Sequence, residues 1–143
     1  MLKAAIAPLL LALAITGPAQ ANDRNDRIID GSTVHVAGET YQLRHIRVPR
    51  PGDMCRRGNQ SLDCGLIAKA QLIDITVGSA IQCDRQATGD RCRAGGYDLS
   101  YGMVHAGWAR ARHASLRSVE AKARKARRGL WHPDYQPPAT WRD

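Results

Sequence analysis

The sequence predicts an α+β fold, and three patterns lead to that prediction. Apolar and polar side chains alternate over much of residues 28–48, which is the two-residue period of β-strands. Apolar residues then recur at helical spacing over residues 62–77 and again over 116–130. The chain has 143 residues, which is enough for one hydrophobic core but not for two. We therefore expect a single domain.

The N-terminal stretch has the features of a secretory signal peptide. Lys3 gives it a positive start, and residues 4–15 are almost wholly apolar. Pro18 then breaks the apolar run before Ala19-Gln20-Ala21, a small-x-small cleavage site. The run is shorter than a transmembrane helix requires, and a retained N-terminal anchor is the alternative interpretation.

The expected organisation has three parts: a signal peptide at 1–21, a short polar segment at 22–26 and a folded domain at 27–143. No later segment is apolar enough to span a bilayer, so we expect no membrane span in the mature chain. The predicted location is the periplasm or the outside of the cell.

Basic residues outnumber acidic ones by 21 to 13, for a formal net charge of +8. A charge of this size favours polyanionic partners such as nucleic acid or lipopolysaccharide, or an acidic protein. A solvated basic surface is the alternative, and charge alone does not decide between them.

The four cysteines are expected to form two disulfides. Export into an oxidising compartment makes disulfides the default, and four cysteines allow three pairings. Cys55 and Cys64 are separated by eight residues, as are Cys83 and Cys92, and the second pair lies at the ends of two strand-like runs. We therefore predict Cys55–Cys64 and Cys83–Cys92. The rival, a zinc site, lacks a C-x-x-C or H-x-x-x-H pair to build it.

The elements follow in a simple order. Strands are predicted at 28–29, 33–36 and 41–48, joined by turns at Asp30-Gly31 and Gly38-Glu39 and ended by Pro49. Residues 54–60 are basic and expected to be irregular. A helix over 62–77 is capped by Ser61 or Asp63 and ended by Gly78.

The second half adds two short strands at 80–83 and 92–94, a short helix at 99–106, and a basic last helix over 116–130 that Gly129 caps. A proline-rich tail follows. Three strands, a helix, two strands and then helices is the order of a five-stranded OB-type Greek-key barrel with about three helices.

Five segments carry motifs that occur in the same order in one known family. The first two are IIDGSTVHV and YQLRHIRVPR, and the next three are CGLIAKAQL, GYDLSYGMVHAGWARA and AKARKARRGLW. Together they resemble the staphylococcal nuclease (thermonuclease) family over residues 27–142, nearly the whole mature chain. The resemblance implies the family's OB-type barrel.

The resemblance also implies that the family's active site has been replaced. Two aspartates that help to hold a divalent cation, usually calcium, correspond to Ser32 and Arg47, which leaves Asp30 as the only retained carboxylate. The family's phosphate-binding arginine and its general-base glutamate correspond to Gln42 and Arg50. An arginine stays protonated and cannot act as a base, and calcium needs several oxygen ligands. We therefore expect no catalytic residues, no metal or other cofactor, and no nuclease activity.

Binding is the function that these features favour, with nucleic acid or another polyanion as the leading ligand. The candidate binding residues are the arginines on and after the third strand: Arg44, Arg47, Arg50, Arg56 and Arg57. Arg47 is expected to form an ion pair with Asp30 in the former metal position. The charged face of the last helix is a second candidate surface. Two alternatives stay open, namely an active or residual nuclease with a rearranged site, and a protein–protein interaction module.

Overall fold

Three α-helices and eleven short β-strands make up residues 26–141, the part of the chain that the computed structural model describes. This confirms the predicted α+β class. The predicted signal peptide and residues 22–25 lie outside the described residues. The helices are α1 (Cys64–Thr76), α2 (Leu99–His105) and α3 (Ala114–Lys125). The strands are β1 (Arg27–Ile28), β2 (Thr33–Val36), β3 (Glu39–Gln42), β4 (Ile46–Arg47), β5 (Met54–Arg57), β6 (Gln60–Asp63), β7 (Ile81–Asp84), β8 (Arg91–Ala94), β9 (Tyr97–Asp98), β10 (Arg110–Ala111) and β11 (Tyr135–Gln136).

The strands form four antiparallel sheets, in the orders β1-β2-β3, β10-β4, β11-β5-β6 and β7-β8-β9. A single parallel bridge between Leu43 and Asp90 links the end of β3 to the start of β8. The hydrogen-bonded strands of residues 26–141 do not close into one barrel.

The first sheet has the strands that the sequence predicts, with one interruption. β2 and β3 are joined by Ala37 and Gly38, whose φ angles of 51° and 83° suit a tight two-residue hairpin turn. The predicted strand over 41–48 is not continuous. His45 has a φ of 66°, which turns the chain between β3 and β4.

Residues 54–60 were expected to be irregular, and that prediction is wrong. They belong to the hairpin of β5 and β6, whose turn contains Gly58 at a φ of 57°. The tail adds β11 to this hairpin, with Tyr135 opposite Arg57. Most side chains of β5 are exposed, so no apolar alternation marks the strand.

Each predicted helix is present, and the structure corrects the end of the last one. α1 is capped by Asp63, whose carboxylate accepts a hydrogen bond from the Leu66 N–H at 3.0 Å. α3 ends at Lys125, and Arg127 takes the left-handed conformation there (φ 54°), so Gly129 is not the cap. Gly129 instead permits a close crossing, because a Cβ there would lie 2.5 Å from the carbonyl oxygen of Gly107.

One hydrophobic core joins the helices to the sheets, and its largest fully buried side chains include Val34, Leu72, Leu99, Met103 and Val104. Both predicted disulfides are present. Cys55–Cys64 ties β5 to the first residue of α1, with Cα atoms 5.7 Å apart. Cys83–Cys92 joins directly opposed residues of β7 and β8, with Cα atoms 4.1 Å apart. Over residues 26–141, no helix has the length and apolar character needed to cross a membrane.

Candidate functional site

A hollow of about 780 Å³, lined mainly by polar and charged residues, lies beside β4. We call it the arginine cavity. Its polar lining consists of Asp30, Ser32, Gln42, Arg47, Arg50, Asp53, Arg112 and Thr140. The four positions at which the resemblance implies replaced family residues, Ser32, Gln42, Arg47 and Arg50, therefore line one space together with Asp30, the retained carboxylate.

Strand pairing places Arg47 and Arg112 at this cavity. β4 pairs with β10, so that Arg47 lies opposite Arg110 and Ile46 opposite Ala111. The Arg112 N–H then donates to the carbonyl of His45 at 2.7 Å, which extends the pairing by one residue. This backbone pairing thus fixes the positions from which the Arg47 and Arg112 side chains extend.

The loop after β4 holds Arg50. The Arg50 N–H donates to the Asp53 carboxylate at 2.8 Å, and the Asp53 N–H donates back to the Arg50 carbonyl at 2.8 Å. This loop presses against the start of α1 at Gly65, where a Cβ would lie 1.8 Å from the Arg50 carbonyl oxygen. A residue without a side chain is therefore required at Gly65 for Arg50 to sit where it does.

A chain of hydrogen bonds joins Asp30, Ser32 and Gln42 in the lining of the cavity. The Asp30 carboxylate accepts from the Ser32 N–H at 2.8 Å and from the Ser32 hydroxyl at 3.1 Å. The Ser32 hydroxyl accepts in turn from the Gln42 amide at 2.9 Å. Asp30 thus finds its partners within its own turn.

The predicted ion pair between Arg47 and Asp30 is wrong. The Arg47 guanidinium instead donates to the carbonyl oxygen of Thr140 at 3.4 Å, and no salt bridge joins it to Asp30. The physical reason is local, since Ser32 satisfies the Asp30 carboxylate while the exposed Arg47 side chain reaches the C-terminal segment.

Guanidinium groups outnumber carboxylates by three to two in the lining of the arginine cavity. Within residues 26–141, no carboxylate lies at salt-bridge distance from the guanidinium of Arg47, Arg50 or Arg112. The two lining carboxylates are engaged elsewhere, Asp30 with Ser32 and Asp53 with the Arg50 N–H and the Thr140 hydroxyl at 3.1 Å. Three guanidinium groups around one space, none with an ion-pair partner among residues 26–141, favour an anion with several oxygens.

The other three candidate arginines lie away from the cavity. Arg44 donates to the side-chain oxygen of Gln86. Arg57 lies over the ring of Tyr135, 5.4 Å from its centroid, and Arg56 is exposed on the same strand. The structure therefore brings together two of the five predicted binding residues, Arg47 and Arg50.

Three cavity residues are not among the site residues that the sequence predicts, namely Asp53, Arg112 and Thr140. Arg112 follows β10, a two-residue strand without an apolar pattern, and only its pairing with β4 reveals its position. Asp53 is a second carboxylate in the cavity, in addition to Asp30. In the described part of the chain, no group of three His, Cys, Asp or Glu side chains lies close enough together to hold a metal ion.

Two histidines, His45 just before β4 and His113 at the start of α3, form a stacked pair. The rings of His45 and His113 stack with centroids 4.2 Å apart and planes 15° from parallel. Burial lowers the pKa of His45, and the neighbouring His113 and Arg44 lower it further, while Asp98 acts in the opposite direction. His113 also caps α3, because its Nδ1 accepts from the Ser115 N–H at 3.2 Å.

The sequence matches no protein-family model and no curated protein, so the case for a function rests on the chemistry of the arginine cavity.

Proposed function

We propose that this protein is an exported, thermonuclease-like domain that binds nucleic acid or another polyanion in the arginine cavity without cleaving it. The observation that carries the proposal is the convergence of Arg47, Arg50 and Arg112 on one space, with no carboxylate partner for any of them in residues 26–141. A phosphodiester shares one negative charge between two oxygens, and the planar guanidinium fork matches that geometry.

Binding without hydrolysis follows from the same residues. Cleavage requires a group that deprotonates or orients water, and Arg50, at the position of the family's base, stays protonated. Asp30 and Asp53 each accept hydrogen bonds from the protein already. These bonds use one oxygen of each carboxylate, Oδ1 in Asp30 and Oδ2 in Asp53, so the inference that cleavage is absent rests on the arginine at position 50.

Two further observations support the likeness and the location. The bridge between Leu43 and Asp90 connects the first sheet to the β7-β8-β9 sheet, which is the kind of contact that an OB-type barrel needs between its sheets. Both disulfides fit an oxidising compartment, as an exported domain would meet.

The test compares two triple variants that lose the same positive charge. Arg47→Gln/Arg50→Gln/Arg112→Gln empties the cavity of guanidinium groups, whereas Arg44→Gln/Arg56→Gln/Arg57→Gln leaves it intact. Affinity for single-stranded oligothymidylate is measured by fluorescence anisotropy as salt rises. Each lost phosphate contact makes the slope of log K against log salt shallower by about 0.7, so the cavity variant should lose about 2.

The control variant should keep the wild-type slope to within about 0.7. Equal losses in the two variants would show that binding follows the overall charge and would overturn the assignment to the arginine cavity. Thermal melts of both variants establish that each is folded at the temperature of the titration.

A further inference from the structure

A second hollow of about 770 Å³ lies between α2 and α3, and no residue lines both it and the arginine cavity. We call it the α2–α3 groove. Two kinds of side chain meet there: the aromatic rings of Tyr101 and His105, and the cationic groups of Lys122, Lys125 and Arg128. None of the groove's lining residues is acidic.

The aromatic side of the groove is a ladder on α2. Tyr101 and His105 are four residues apart and so lie on one face of the helix. Their rings are nearly parallel, with centroids 5.8 Å apart and planes at 17°. Tyr97 meets Tyr101 edge-on at 86°. Tyr101 remains 39% exposed, so the ladder offers an aromatic face to a planar ligand.

The cationic side comes from α3 and the turn after it. Within residues 26–141, Lys122, Lys125 and Arg128 form no salt bridge. The Nε of Arg128 is buried and has no hydrogen-bond partner in the described part of the chain. An N–H left in that state costs free energy that a bound anionic oxygen would recover.

We propose that the α2–α3 groove is a second binding site, specific for single-stranded nucleic acid, in which a base stacks on Tyr101 and His105 while the flanking phosphates meet Lys122, Lys125 and Arg128. Unpaired bases expose the flat rings that such a platform recognises. An acidic peptide would satisfy the cations and leave the aromatic ladder unused. The proposal stands independently of the arginine cavity.

The test distinguishes contacts to the bases from contacts to the phosphates. It uses the full chain carrying the cavity triple variant, so that the groove is the site observed. The probes are an oligothymidylate of about eight nucleotides and an abasic deoxyribose-phosphate chain of the same length. Tyr101→Ser should weaken oligothymidylate binding about tenfold or more and leave the abasic chain unaffected. Tyr101→Phe, which keeps the ring, should bind both probes as its parent does.

The phosphate contacts have their own matched control. Lys122→Gln/Lys125→Gln should weaken both probes and make the salt slope shallower by about 1.4. Arg27→Gln/Arg117→Gln removes the same charge from exposed residues outside the groove and should leave the slope unchanged.

Three outcomes would overturn the proposal: equal affinity for the two probes, oligothymidylate binding that Tyr101→Ser does not change, or polyglutamate bound as tightly as oligothymidylate. The last of these would identify an acidic protein segment as the partner. The Tyr101 comparison is made in the cavity triple variant, so its result does not depend on whether the arginine cavity binds nucleic acid. The two proposals can therefore fail separately.

Discussion

At the scale of single residues, His45 connects two features that are far apart in the sequence. Its positive φ ends β3, its ring stacks on His113, and its carbonyl accepts the Arg112 N–H that positions a cavity arginine. His113 in turn caps α3 through an unprotonated ring nitrogen. A proton on the His45 ring would therefore place a charge beside the residue that caps α3.

The direction of the pH effect follows from the lowered pKa of His45. In the unfolded chain a histidine takes up its proton near pH 6.5, whereas in the fold His45 does so only at lower pH. The unfolded state therefore binds more protons in the interval between the two values, and stability falls as pH drops below about 6.5 until the folded pKa is reached.

We expect the melting temperature to be lower at about pH 5 than at about pH 7.5, and His45→Asn to flatten part of that dependence. Asparagine tolerates the positive φ at this position. His35→Asn, on β2 and outside the stack, is the control and should retain the wild-type profile. A melting curve series in which the two variants behave alike would contradict the role of His45.

At the scale of elements, periodicity predicted those parts of the fold that bury one face. β2 alternates because Val34 and Val36 enter the core while Thr33 and His35 do not, and α3 likewise buries an apolar stripe. In α1 the apolar repeat predicted the helix but not its buried face, because Leu66 and Ile73 are exposed whereas Ala68 and Leu72 are buried. The β5–β6 hairpin has no such face, since its pairing depends on backbone hydrogen bonds and a glycine turn. The break at His45 is a backbone conformation that no side-chain pattern announces.

The candidate site was predictable to the extent that local motifs carry it. Asp30, Ser32, Gln42, Arg47 and Arg50 belong to two neighbouring segments, and the structure gathers all five. Arg112 and Thr140 reach the cavity through contacts with β4 that are distant in sequence. Arg44, Arg56 and Arg57 are predicted binding residues because they lie close to Arg47 and Arg50 in the sequence. The turn at His45 and the β5–β6 hairpin place them outside the cavity.

The Asp90 side chain joins the β1-β2-β3 sheet to the β7-β8-β9 sheet. It is buried, its carboxylate accepts from the Gln42 N–H at 2.9 Å and from Arg85 at 3.1 Å, and its own N–H donates to the Gln42 carbonyl at 2.9 Å. Asp90→Ala leaves the Gln42 N–H without its acceptor, so we expect a loss of about 2–3 kcal/mol in the free energy of unfolding.

Urea denaturation measures that loss, and Asp84→Ala supplies the comparison. Asp84 also pairs with an arginine, Arg93 at 3.1 Å, but its side chain is 59% exposed. Removing such a surface pair should cost about 0–1 kcal/mol. Equal costs for the two variants would show that Asp90 does not join the sheets in the way described.

At the scale of the whole molecule, the proposed thermonuclease likeness predicts a protein whose stability does not depend on calcium. Calcium raises the melting temperature only of a protein that binds it in the folded state, and its sites require several oxygen ligands. We expect the same melting temperature in millimolar calcium and in a chelator, with no cleavage of denatured DNA in either. Ser32→Asp/Arg47→Asp, which adds carboxylates at the two positions where the resemblance implies metal ligands, should make the melting temperature rise with calcium.

A calcium-dependent rise in the wild-type protein, or cleavage that a chelator abolishes, would instead support the nuclease alternative. Asp53→Asn then identifies the base, because Asp53 is the cavity carboxylate that the family motif does not account for.

The contacts of the last described residues also determine the order in which the molecule can assemble. β11 completes the sheet that β5 and β6 begin, and Thr140 contacts both Arg47 and Asp53. A ribosome releases the chain from its N-terminus, so the complete sheet cannot form until residue 136 has emerged, nor the cavity rim until residue 140 has. A chain that crosses a membrane unfolded, as the proposed export requires, gains from that delay, because its early segments lack the partners that would lock them into the native structure too soon.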